Sequence, residues 1–322
     1  MAKKMLEIKD LKTHFFTRAG VVKAVDGVSF SVNEGETLGL VGESACGKTI
    51  TCLSILRLVP QPAGRIVSGE IFIDGQDLLK KSEREMGAVR GKQVSMILQD
   101  PMTSLNPVFT IGQQVAWPIR LHQDLARSAI WEKVKEMLSR VKIPSPEVRI
   151  REYPHQMSGG MRQRIVGAMS LSCQPQLLIA DEPTTALDVT IQAQFIRLIK
   201  EIQRDLNLAM IMVTHDFGIV AKVCDRVAVM YAGRIVENAP IRELFNNYRH
   251  PYTKALMDSL PQMEKDVELL YSIEGQPPDL RDPPPGCAFA PRCDKNMEIC
   301  KEKYPPLSTV GDGHTLSCWL EK

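Results

Sequence analysis

Eight residues constrain this chain more than any others. Gly42-Glu43-Ser44-Ala45-Cys46-Gly47-Lys48-Thr49 fits G-x-x-x-x-G-K-[ST], the spacing of a phosphate-binding loop. The flanking residues are those the chemistry requires: Thr37 to Val41 reads as a short buried strand, and Lys48 to Val59 as a helix. A strand that turns directly into a helix aims several backbone N–H groups and the positive end of the helix dipole at one point. Gly42 and Gly47 keep side chains away where the backbone must wrap phosphate oxygens. Lys48 is placed to reach β- and γ-phosphates, and the Thr49 hydroxyl to ligate Mg²⁺. Such an element belongs to an α/β fold with a parallel sheet at its centre.

The remaining sequence is organised around that core. With 322 residues there is room for one large α/β domain and an appendage, or for two modest domains. A hydrophobic content of 44%, a charged content of 24% and a net charge of +2 describe an ordinary globular surface and give no argument for nucleic acid as a partner. No apolar run is long enough to cross a bilayer, and Met1-Ala2-Lys3-Lys4 lacks an apolar signal core, so a cytoplasmic chain is expected. Met5 to Ile8 and Val28 to Val32 alternate like half-exposed strands beside the core. Ser68 to Asp74 reads as a strand closed by Asp74-Gly75. Val94 to Leu98 reads as another, with Pro101 ending regular structure. From Thr110 to Arg140 the apolar spacing is helical, which predicts a helical insertion over about 106–160. Leu177 to Asp181 and Met210 to Val213 are apolar enough for buried parallel strands, with a helix from about Thr190 to Arg204 between them. Arg226 to Tyr231 and Arg234 to Glu237 flank Ala232-Gly233 as a hairpin. After Arg249 prolines multiply, no internal repeat is present, and the domains expected are 1–250 and 251–322.

Two further motifs carry chemistry. Asp181 and Glu182 end an apolar strand, where Asp181 can hold the Mg²⁺ hydration shell and Glu182 can polarise a water. Neighbouring strand residues point apart, so the two carboxylates need not compete for one atom. Ser158-Gly159-Gly160 precedes a helix, and this offers an anion a hydroxyl, two unobstructed backbones and a helix N-terminus. With these three motifs in this order the chain resembles the ATP-binding-cassette (ABC) ATPases, whose signature is usually L-S-G-G-Q. The resemblance implies a core with an antiparallel β subdomain and a helical subdomain. It also implies that two subunits sandwich two ATP molecules, with Ser158, Gly159 and Gly160 acting on the ATP of the opposite subunit. By the same resemblance Gln99 senses Mg²⁺ and the attacking water, Asp188 in Ala186-Leu187-Asp188 belongs to a turn that communicates across the dimer, and His215 contacts the γ-phosphate. The catalytic set is then Glu182, His215, Gln99 and Lys48, and Mg²⁺ is held by Thr49, Gln99 and Asp181. Nucleotide contacts extend over Gly42 to Thr49, to Thr51, and to Phe15 as the adenine-stacking ring, with Phe16 as its alternative. Ala45-Cys46 and Met161 depart from the usual pattern. Cys46 places a thiol beside bound phosphate, where positive charge is expected to lower its pKa and make it oxidisable.

Gln99 to Pro107, Ser158 to Arg164 and His250-Pro251-Tyr252-Thr253 are similar to segments of the dipeptide and oligopeptide importer ATPases, a group whose features nickel importers share. The implied partners are two membrane permease subunits and a second ATPase subunit, identical or not, with an extracytoplasmic peptide-binding protein indirectly involved. The implied location is the cytoplasmic membrane face. A cassette ATPase acting on ribosomes or DNA is a different class, and the single cassette and lack of a basic stripe argue against it. Cys287, Cys293, Cys300 and Cys318 crowd into the last 36 residues of the chain, and four thiolates suit either tetrahedral zinc or a [4Fe–4S] cluster. The spacing does not choose; the resemblance to the peptide importers implies the cluster. His314 reads as a loop residue beside these cysteines.

Overall fold

Val94–Ile97, Leu177–Asp181 and Ala209–Val213 carry apolar residues at nearly every position, the pattern of strands covered on both faces. In the computed structural model, which describes residues 3–185, 187–260 and 272–321, these strands lie parallel in that order. Val94 stands opposite Leu177, and Leu177 opposite Ala209. They form the centre of one of two compact units, made of the described residues of 1–6, 32–37 and 73–213. The helical insertion belongs to this unit as Ile111–His122 and Arg127–Arg140. Thr110 begins the first helix with a capping box, its hydroxyl accepting from Gln113 N while the Gln113 side chain returns to its own N–H. The apolar positions read from the sequence, Ile111, Val115, Ile119, Ile130, Val134, Met137 and Leu138, are all buried. Gly159–Leu171 and Val189–Asp205 supply the helices next to the strands. Pro101 does not end regular structure; it opens the one-turn helix Pro101–Ser104, the helical position at which a missing N–H is harmless.

The second unit holds 7–31, 38–72 and the described residues of 214–322. The greater part of two long strands lies here, Lys4–Thr17 and Gly20–Asn33, adjacent in one sheet with Gly64–Ile73 on the far side of the first. The sequence indicates only the short alternating stretches in each. Backbone pairing continues past them to a tight turn, where Thr17 Oγ1 donates to Gly20 O at 2.8 Å and accepts from Ala19 N at 3.2 Å.

The unit's other sheet starts at Thr37–Val41, which pairs in parallel with Arg226–Tyr231. Arg234–Pro240 returns antiparallel through Ala232 and Gly233, both in the left-handed region at φ 47° and 80°, the conformation a two-residue hairpin turn demands. Lys48–Ile55 is shorter than its expected run to Val59, because Arg57 adopts φ 53° and closes the helix.

The cysteine-bearing tail contains two strands. His314–Leu316 pairs with Arg234–Pro240, placing Glu237 opposite Leu316, and Ser308–Gly311 pairs with His314–Leu316 in turn. These tail strands thus extend the sheet that contains the strand leading to the phosphate loop. His314 is a buried strand residue, not a loop residue; its Nε2 lies 2.8 Å from Glu237 Oε1. The proline-rich linker is described only in part, and 261–271 as well as Ala186 lie outside the described residues.

Candidate functional site

The phosphate loop is fixed from beneath. Gly42 has φ 151°, and a Cβ there would stand 2.1 Å from Met230 O; Gly47 has φ 110°, and its Cβ would meet Ala24 O at 2.3 Å. Both positions therefore require glycine for space as well as for backbone angle. Lys48, only 6% exposed, donates from Nζ to the carbonyls of Gly42 and Glu43, each at 2.8 Å. Thr51 is fully buried and donates its hydroxyl to Gly47 O at 2.9 Å, so it supports the loop. Ser44, Ala45 and Thr49 are exposed, while Glu43 is half-buried. Cys46 reverses the expectation placed on it. Burial pushes its thiol up, Lys48 opposes that shift without cancelling it, and the residue is 5% exposed. A protonated, covered sulfur is a poor nucleophile. Phe15 is half-buried, with Gly64 so close that a Cβ there would meet its Cε1 at 2.9 Å; Phe16 is exposed beneath the Arg65 guanidinium, 5.5 Å from the ring centre. His215, also in this unit, is exposed in the turn before Phe217–Val223, a helix that Asp216 caps by accepting from Gly218 N and Ile219 N.

The first unit gathers the other sequence-predicted residues. Asp181 is 2% exposed at the end of its strand. Glu182 follows in the left-handed region at φ 44°, with its N–H still donating to Val213 O at 2.9 Å. A non-glycine residue held there marks a backbone whose surroundings impose the turn, a pattern concentrated at functional sites. Its carboxylate Oε2 accepts from Gln99 Nε2 at 2.9 Å and from Thr185 Oγ1 at 3.2 Å. The structure thus brings Gln99 and Glu182 together, although the sequence separates them by 83 residues. Ser158 and Gly159 are exposed, and Ser158 Oγ caps the following helix by accepting from Met161 N at 3.3 Å. Gly160 packs so closely on the start of Val189–Asp205 that a Cβ would lie 2.6 Å from Ile191 Cγ2. Asp188 is exposed and caps that same helix through Ile191 N at 3.0 Å. Sequence reasoning missed Gln163. It is fully buried in the Ser158-capped helix and donates at 2.6 Å to Pro183 O, the carbonyl just past Glu182. A polar residue on the inward face of a helix of small and apolar residues was the available signal.

In the tail, Cys287, Cys293, Cys300 and Cys318 line one small cavity, and His250 lines it with them. His250 Nδ1 accepts from Tyr252 N at 3.0 Å, which leaves the proton on Nε2, and that buried Nε2 has no hydrogen-bond partner in the structure. Among the described residues, no group of three or more His, Cys, Asp or Glu side chains is arranged to hold a single metal ion. Glu237, another residue the sequence did not single out, organises the start of this region. Its Oε1 accepts from Arg249 N at 2.7 Å and meets His314 Nε2, and its Oε2 accepts from His250 N at 3.1 Å.

Known proteins align with both parts of this arrangement. The family model described as ABC transporter matches residues 25–185, and that described as the C-terminal region of oligopeptide/dipeptide transporters matches residues 236–300. A probable peptide ABC transporter ATP-binding protein, y4tR of Sinorhizobium fredii, is 51% identical over 316 residues, covering 98% of this chain and 94% of its own. The dipeptide transport ATP-binding protein DppD of Bacillus subtilis is 49% identical over 318 residues, covering 99% of this chain and 95% of its own. Among solved structures, the dimeric bacterial ABC transporter cassette MJ0796 superposes with a TM-score of 0.66 at 22% identity, over 74% of this chain and 99% of that one. The protein cbiO1 of Clostridium perfringens, part of the ABC transporter complex cbiONQ, gives 0.65 at 25% identity, over 76% of this chain and 92% of that one. The cassette fold, the phosphate loop and the match that continues through the tail agree: this chain belongs to the ABC transporter family, among the ATP-binding subunits of its peptide-transporter branch.

Proposed function

We propose that this subunit hydrolyses ATP to drive import of dipeptides or oligopeptides through a membrane permease. The observation that carries the reading is the end-to-end match to peptide transport subunits, at 49–51% identity over 98–99% of the chain, including the extension after the cassette. Relatives named for dipeptide and oligopeptide transport favour peptides over nickel complexes as cargo. Lys48 and Thr49 bind the phosphates, with Thr49, Asp181 and Gln99 as the residues that would hold Mg²⁺, whose charge would neutralise the phosphate oxygens. Glu182 accepts a proton from the attacking water, and the hydrogen bond from Gln99 orients its carboxylate for that task. His215 donates to the γ-phosphate, and Phe15 stacks on the adenine. Ser158, Gly159, Gly160 and Asp188 act on the ATP of a second ATPase subunit, identical or not. Phosphoryl transfer depends on positioning and charge stabilisation, so turnover requires that closed pair. No described helix is long and apolar enough to cross a membrane, which fits a peripheral subunit bound to two permease subunits on the cytoplasmic face, supplied by an extracytoplasmic binding protein.

The cassette proper corresponds to 1–250 and the extension to 251–322. Cys287, Cys293, Cys300 and Cys318 fit a [4Fe–4S] cluster as its four thiolate ligands: they share one cavity, and the orphaned His250 Nε2–H beside them is suited to a sulfur acceptor. A cluster there would cross-link the tail. The test is isolation of the tagged chain from membranes under anaerobic conditions. Co-purified permease subunits and a peptide-binding protein, ATPase activity stimulated by peptide, and iron with sulfide in the same preparation are expected. Recovery with ribosomes or DNA instead of a permease would overturn the transport reading, and zinc without iron would overturn the cluster.

A further inference from the structure

The extension does more than follow the cassette; it reaches the phosphate loop. Arg292, next to Cys293 and with a side chain 4% exposed, sends both terminal nitrogens to the Glu43 carboxylate. Nη1 lies 2.7 Å from Oε2 and Nη2 3.0 Å from Oε1. The remaining donors are occupied as well: Nε bonds Glu274 O at 3.0 Å, and Nη1 also reaches Tyr231 Oη at 3.2 Å. Glu43 is held a second time, its N–H donating to the hydroxyl of the fully buried Tyr252 at 2.9 Å. The Glu43 carbonyl in turn accepts from Lys48 Nζ at 2.8 Å.

From this chain of contacts we infer that Arg292 is a positioning residue for ATP binding: it holds Glu43, and through the Glu43 backbone it fixes the loop around Lys48. The inference rests on the reading that this loop binds ATP. Two physical effects act in the same direction. A planar guanidinium that meets a carboxylate at two points fixes its orientation as well as its position, which a single charge does not. Glu43 also places a negative charge inside a loop built to accept a polyphosphate. Arg292 neutralises that charge in a half-buried setting, where an unpaired carboxylate would repel the ligand more than it would in open water. Nothing local in the sequence shows the link, since the partners are 249 residues apart.

The test measures binding of a fluorescent ATP analogue to the full-length chain, and turnover in the assembled permease complex. R292M should raise the dissociation constant for ATP by about tenfold and raise KM in parallel, leaving kcat within about twofold. R292K, which keeps the charge and loses the fork, should fall between, at about threefold. E43Q introduced into R292M should recover part of the lost affinity, the part owed to the uncompensated carboxylate, and leave the part owed to the lost fork; loss of tail packing alone would not be rescued this way. ATP affinity in R292M and R292K equal to that of the parent, or an R292M/E43Q variant no better than R292M, overturns the inference. Parent protein that binds no analogue, or binds it equally well as K48A, overturns the ATP reading itself and this inference with it.

Discussion

The two units carry the expected nucleotide residues in opposite ways. In the second unit the phosphate loop leaves Ser44, Ala45 and Thr49 exposed but is held from beneath by its own chain: glycines fit against backbone carbonyls, Lys48 and Thr51 bond inward, and Glu43 is fastened to the extension. In the first unit, the buried Asp181 apart, the groups assigned to chemistry and to the partner lie at or near the surface. Ser158, Gly159, Gln99 and Asp188 are exposed, and Glu182 is half-buried on a left-handed turn. The difference separates holding from reacting. A loop that grips phosphate gains from being shaped before the ligand arrives, whereas residues that complete a second subunit's site must remain reachable. Marginal stability is concentrated where reach is needed.

If that division holds, variants of the two units should fail in different kinetic constants. The largest effect is expected from Glu182→Gln, which keeps the acceptor of the Gln99 bond but not the base. Turnover should fall by about hundredfold or more with ATP affinity retained, and ATP-bound dimer should accumulate in size-exclusion chromatography. Unimpaired turnover would erase the contrast. Gly42→Ala should instead damage holding, costing about 2–4 kcal/mol of stability because a Cβ cannot coexist with Met230 O at 2.1 Å. Denaturant midpoints and ATP binding should fall together. The smallest effect is sought at Cys46, whose buried and raised thiol should react slowly with thiol reagents at the same rate with and without ATP. Protection by ATP, followed by mass spectrometry of the labelled peptide, would show that the loop opens more than its contacts indicate.

Much of this was readable in advance because it is local. The strand–loop–helix at Gly42 to Thr49, the hairpin turn at Ala232-Gly233 and the helical spacing from Ile111 to Leu138 all depend on neighbours within a few residues, and the structure contains them. What was missed is long-range. Gln163 acts on Pro183, Glu237 on His314 and Arg292 on Glu43, and a single sequence carries no periodicity for contacts made through tertiary packing. The extent of Lys4–Thr17 and Gly20–Asn33 was hidden for another reason: main-chain pairing continued where the side-chain pattern stopped. The Cys46 expectation failed on magnitude. Nearby positive charge lowers a thiol pKa, but burial had the larger influence.

The pairing of His314–Leu316 and Ser308–Gly311 with Arg234–Pro240 has a consequence for how safely this chain is made. Until those last strands arrive, Arg234–Pro240 presents an open row of amide and carbonyl groups, a template on which another chain could add a strand. The finished protein ends that row with Ser308–Gly311, only four residues long and too short to recruit a neighbour well. A chain cut before Ser308 would keep the phosphate loop, Gln99, Glu182 and His215 and yet be left with an aggregation-prone flank.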